Sequence, residues 1–94
     1  MSYCRTTLVE FNSEKDADEA HADYSKNAPL EFPEAEIILS IRTGPASAVV
    51  TSVYPDKETA KKATAARNAR MGKNAHRMKS TEMLEGEVIL KVVR

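Results

Sequence analysis

Ninety-four residues, 14 basic and 14 acidic, with 41% hydrophobic and 30% charged side chains, describe one globular domain, 1–94, rather than a disordered chain. No apolar run is long enough to span a bilayer and no apolar h-region follows the first residues. The single cysteine, Cys4, excludes an internal disulfide framework, so a cytoplasmic setting without a membrane partner is expected.

The first predicted element is a strand over 4–11, where β-branched residues dominate "CRTTLVEF". Ser13 then has the chemistry of a helix N-cap, and Asp16 three residues on completes a capping-box pattern. Ala17, Ala20, His21, Tyr24 and Ala28 recur at helical spacing and form one face. Pro29 is expected to stop this helix and, with Pro33, to pin a loop over 29–35.

A second strand is predicted over 36–43, a tight "GPA" connection over 44–46, and a third strand over 47–54. Pro55 ends that strand, since it has no N–H to give to a ladder. Asp56 caps a second helix that is expected to run from Lys57 into the high seventies, weakened or bent at Gly72. The fourth strand is predicted over 85–93, "EGEVILKVV". The order βαββαβ, with right-handed crossovers around a central hairpin, gives an α+β, ferredoxin-like fold: a four-stranded antiparallel sheet with both helices on one face.

Alternation assigns the strand faces. Ile37, Leu39 and Ile41, with Val88, Leu90 and Val92, form clean apolar sets expected under the helices. The opposite face is expected to carry Ile38, Ile89 and Val93, more apolar surface than a wet face usually shows. A chain of this length buries only about 60–65% of its unfolded surface, so a second copy on that face, a homodimer, is expected. The helices lean on alanine: Ala17, Ala20 and Ala28 in the first, Ala60, Ala63 and Ala75 in the second.

Charge is unevenly placed, with nine acids and two lysines from Glu10 to Glu36, then seven Lys/Arg and no acid from Lys61 to Lys79. The neutral total and the lack of stacking aromatics read the basic run as a solvated helix face, so no nucleic-acid partner is expected. Within that run Arg67 sits between Ala60, Ala63 and Met71 on the helical wheel, either snorkelling outward or binding an anion at the mouth of a helix–sheet cleft. His21 and Tyr24 share one helix face as a candidate general base and hydrogen-bond donor; the plainer reading is a histidine beside a core tyrosine. His21 and His76 lie in different helices and make a poor metal pair, so no metal or cofactor is expected. The third strand lacks the aromatics of an RNA-recognition module, the first loop lacks a cysteine pair or a phosphate-cradling arginine, and no glycine-rich phosphate loop occurs.

The βαββαβ order, the "SVYPDKETA" joint into the second helix and the terminal "GEVILKVV" strand resemble the dimeric α+β-barrel superfamily, in particular its small antibiotic-biosynthesis-monooxygenase-like branch. The resemblance spans nearly the whole chain. It implies a homodimer in which two sheets pack face to face, and a small-molecule-binding protein related to cofactor-independent monooxygenases. The haem-degrading members use an Asn, a Trp and a His; this chain has no Trp, its first strand holds no Asn, and only His76 matches the His. If the chain is an enzyme, its pocket is expected between helices and sheet, with His21 and Tyr24 as candidate catalytic residues and Arg67 and His76 as candidate substrate-binding residues. A non-catalytic dimeric structural or interaction module remains the alternative: a pocket of about 300 Å³ or more with convergent polar groups supports the small-molecule reading, and a helix–sheet interface filled solid supports the module.

Overall fold

The computed structural model describes residues 1–94. Strand β1 (Tyr3–Phe11) leads into helix α1 (Glu14–Glu31), then come β2 (Ile37–Gly44), β3 (Ser47–Tyr54), α2 (Lys57–Lys62), α3 (Thr64–Asn74), a 3-10 turn (Ala75–Arg77) and β4 (Met78–Glu87). The sheet order is β2-β3-β1-β4, every pairing antiparallel. Helices α1 and α3 lie over one face. This is the expected α+β, ferredoxin-like arrangement.

The caps form as their residue types dictate. Ser13 Oγ accepts from the Asp16 amide at 3.1 Å, and Asp56 Oδ1 accepts from the Thr59 amide at 2.7 Å and its hydroxyl at 2.8 Å. Each satisfies amides that the first helical turn leaves without intrahelical acceptors.

Pro29 does not stop α1, which continues to Glu31. Proline deprives the Ser25 carbonyl of its donor, but Ser25 and Pro29 are both exposed, so water can serve that carbonyl. The last turn is held from elsewhere: Ala28 and Phe32 are buried, and Glu31 is gripped by Arg70.

The second helix is not continuous. It breaks at Ala63, between α2 and α3, and Gly72 lies within α3 without ending it. At the break, the Ala60 carbonyl accepts from Arg5 Nη2 at 3.3 Å, the Thr64 hydroxyl at 3.5 Å and the Ala63 amide at 3.2 Å. Side-chain donors inserted into the helical ladder are a recognised cause of such breaks. Ala75, expected on the inner face, is exposed in the 3-10 turn beyond α3.

The fourth strand is Met78–Glu87, not 85–93. Its limit is set by its partner: β4 pairs with β1 from Met78 opposite Phe11 to Glu87 opposite Tyr3, where β1 runs out. One further bond, from the Val88 amide to the Ser2 carbonyl at 2.8 Å, closes the ladder. The strongly β-prone segment 88–94 therefore has no strand beside it, and Ile89, Leu90, Val92 and Val93 are exposed. Ladder availability overrides propensity here.

The face assignment is inverted in β2. Ser40 and Arg42 point under the helices, while Ile37, Leu39 and Ile41 face the open side with their cross-strand partners Val53, Thr51 and Val49. Ile38 shares the helix side with Ser52, and Ile89 and Val93 lie in the tail rather than on the sheet. The open side is apolar all the same, with Leu8, Leu39, Ile41 and Leu84 all exposed. The core under the helices divides into a cluster of Val9, Phe11, Ala17 and Ala20 and another of Tyr3, Tyr54 and Ala60.

Candidate functional site

The two clusters do not close on each other. Between them lies a cavity of about 90 Å³ under α1 and α3, floored by the sheet. A second, open surface depression of about 390 Å³ lies outside it along α3 and the start of β4. The two share Met71 and Met78, so these flexible thioethers form the partition between them.

Strand alternation builds the floor. Arg5, Thr7, Val9 and Phe11 project from β1 on the same side, and Ala48, Val50, Ser52 and Tyr54 from β3. Small alanines at 17 and 20 let α1 approach one end of the sheet closely, while Tyr24 and Phe32 farther along the helix wall the other end. Four of the five aromatic residues, Phe11, Tyr24, Phe32 and Tyr54, line this space.

Of the residues singled out from sequence, His21, Tyr24 and Arg67 meet at this cavity. His21 lies at an exposed position on its wall. Tyr24 is half-buried, and burial, reinforced by the neighbouring Tyr54, pushes its hydroxyl up to about 12. Tyr24 is therefore a neutral hydrogen-bond donor throughout the physiological range. His76 does not join them. It sits exposed in the 3-10 turn, outside the cavity wall, where its backbone carbonyl accepts from Asn12 Nδ2 at 3.0 Å.

Arg67 is half-buried on α3 and reaches down to β1, its Nη2 donating to Thr7 Oγ1 at 3.5 Å. It has no carboxylate partner. Burial first, and the nearby Arg5 guanidinium second, hold its pKa below the ordinary arginine value. Arg70, one turn on, is the opposite case: buried, and paired with both Glu31 and Asp23, chiefly Glu31, which raises its pKa.

Arg5 is the residue that sequence reasoning passed over. It is 7% exposed on β1, with Nε donating to Glu85 at 3.3 Å and Nη2 to Ala60 and Thr64. Its Nη1 is buried without an acceptor. The signal was present in the alternation: Tyr3, Arg5, Thr7, Val9 and Phe11 share a face, so an arginine falls on the same side as the core of its strand.

No family model matches this chain, and no curated protein matches it. Solved structures do. A dimeric ferredoxin-like protein from an uncultured marine organism aligns over 99% of this chain and 92% of its own, with a TM-score of 0.77 and 11% identity. A protein assigned as an antibiotic biosynthesis monooxygenase from Nitrosomonas europaea aligns over 94% and 90%, with a TM-score of 0.80 and 12% identity. SnoaB, a cofactor-independent oxygenase from Streptomyces nogalater, aligns over 99% and 98%, with a TM-score of 0.74 and 11% identity. The chain thus shares the ferredoxin-like α+β fold of these structures, as its element order predicted.

Proposed function

We propose that this protein is a homodimer that binds a small organic molecule between sheet and helices and acts on it as a cofactor-independent, monooxygenase-like enzyme. The observation that carries the reading is the cavity itself: a partly open cleft walled by four aromatics and reached by a histidine, a neutral tyrosine and an arginine without a counterion. The likeness to SnoaB supports the same reading at the level of fold.

An oxygenase without a cofactor must draw its electrons from the substrate, which becomes a competent reductant on losing a proton. In this reading His21 takes that proton, Tyr24 donates a hydrogen bond to the resulting oxyanion, and Arg67 balances its charge. The apolar open face, with Leu39 55% and Ile41 53% exposed, supports pairing with a second copy, in keeping with the dimeric relative.

The cavity is smaller than the roughly 300 Å³ at which drug-sized ligand sites begin, which favours small, single-ring substrates and keeps a non-catalytic dimeric module as the second reading. Oxygen uptake with hydroquinone as probe separates them. Uptake above the protein-free rate that is lost in His21→Ala supports the enzyme. A ligand-induced melting shift without uptake supports a binding module, and neither uptake nor shift removes the small-molecule reading.

A further inference from the structure

Four arginines line the cavity, Arg5, Arg42, Arg67 and Arg70, and not one carboxylate does. The acids that neutralise them stand behind the wall. Asp18 pairs with Arg42, Asp23 and Glu31 with Arg70, and Glu85 with Arg5. Two demands are left unmet. Arg67 has no acid at all, and Arg5, with its side chain 92% withdrawn from solvent, keeps Nη1 buried and unbonded. The two guanidiniums approach the same strand: Arg67 donates to Thr7, the next residue on the face that carries Arg5.

We infer that the cavity is a carboxylate site: its ligand is a small, single-ring or short-chain organic acid, held by Arg67 in the positive field it shares with Arg5, with its apolar part against Phe11, Phe32 and Tyr54. Arg67 stands at the cavity without a counter-charge, and a carboxylate is the anion whose two oxygens match an arginine fork. Arg5 lowers the pKa of Arg67 through like-charge repulsion, second only to burial, and an anion bound beside them relieves that repulsion. The neutral hydroxyl of Tyr24 supplies a further donor, and the wall offers no negative charge to oppose the ligand. This inference rests on the cavity being a ligand site and adds the chemical class of what enters it.

The test compares benzoate with benzamide, two molecules of nearly the same shape that differ in charge, by calorimetric titration at fixed ionic strength. Benzoate is expected to bind at least tenfold more tightly than benzamide to the wild-type protein. In Arg67→Met that preference falls to near unity while benzamide binding is retained. Arg67→Lys, which keeps the charge and loses the fork, retains only part of the preference; it also serves should the methionine variant fail to fold. Equal binding of acid and amide, an undiminished preference in Arg67→Met, or inorganic phosphate competing as strongly as benzoate overturns the inference. Benzamide binding without preference leaves the cavity a ligand site and removes only its anionic character, whereas binding of neither compound removes both.

Discussion

Arg70 on α3 grips Glu31 in the last turn of α1 with two parallel hydrogen bonds, Nε to Oε1 at 2.7 Å and Nη2 to Oε2 at 2.5 Å, while its Nη1 takes Asp23 one face along the same helix. The guanidinium is 5% exposed as a residue, so this fork ties the end of one helix to the middle of another beneath the surface. It also explains how α1 persists beyond Pro29, since the turn that lacks an internal bond is held by a neighbouring element.

Removing the guanidinium while leaving two carboxylates behind is therefore expensive. Arg70→Met is expected to destabilise the fold by about 2 kcal/mol, less than the roughly 3–5 kcal/mol of a fully buried broken pair because Glu31 and Asp23 keep partial contact with water. Urea denaturation of the two proteins measures it. Changing Glu31 to Gln in the same background should recover part of the loss, since one unpaired charge is then gone.

Tyr24 yields a pH prediction. Its folded pKa is raised to about 12 from the ordinary 10.0, so the folded state holds this proton where the unfolded state has released it. The contribution is complete below pH 10 and is lost as the pH rises through 10 towards 12. Thermal melts recorded across that window should fall more steeply for the wild type than for Tyr24→Phe. Ultraviolet titration of phenolate should lose its highest-pH phase in the same variant.

Gly72 lies inside α3 with nothing within 4 Å of where a Cβ would stand. Gly72→Ala gains helix propensity without meeting a neighbour and is expected to stabilise by about 0.5–1 kcal/mol. For a domain of this size, the melting temperature should rise by about 2–8 °C.

The open face of the sheet sets the state of association. Leu39 and Ile41 stand exposed side by side on β2, with Leu8 and Leu84 across the same surface. Leu39→Asp places a charge in that patch, and light scattering after gel filtration should show a particle of 10.4 kDa where the wild type shows twice that mass. A wild type that is itself 10.4 kDa would sink the dimer.

Element order, both caps, the hairpin and the strand–helix joint at Pro55 were all legible in the sequence, because each depends on residues a few positions apart. What escaped depended on partners far away in the chain. The length of β4 is set by where β1 ends, not by the β-propensity of Val88 to Val93. Alternation showed that Ile37, Leu39 and Ile41 share a face but not which face is covered, and a strand read one residue out of phase turns every side chain over. The apolar set lies on the open side because the covered side of β2 helps to wall a cavity, where Ser40 and Arg42 belong. Helix periodicity was enough to put His21, Tyr24 and Arg67 on the side that lines the cavity; Arg5 was missed because a lone arginine in a strand reads as solvated until its face is compared with that of Val9 and Phe11.

Arg5 is a joist shared by two rooms. The guanidinium that borders the cavity also braces the carbonyl at which the second helix breaks. Replacing it would therefore take a donor from the α2–α3 break and a side chain from the cavity wall in a single change.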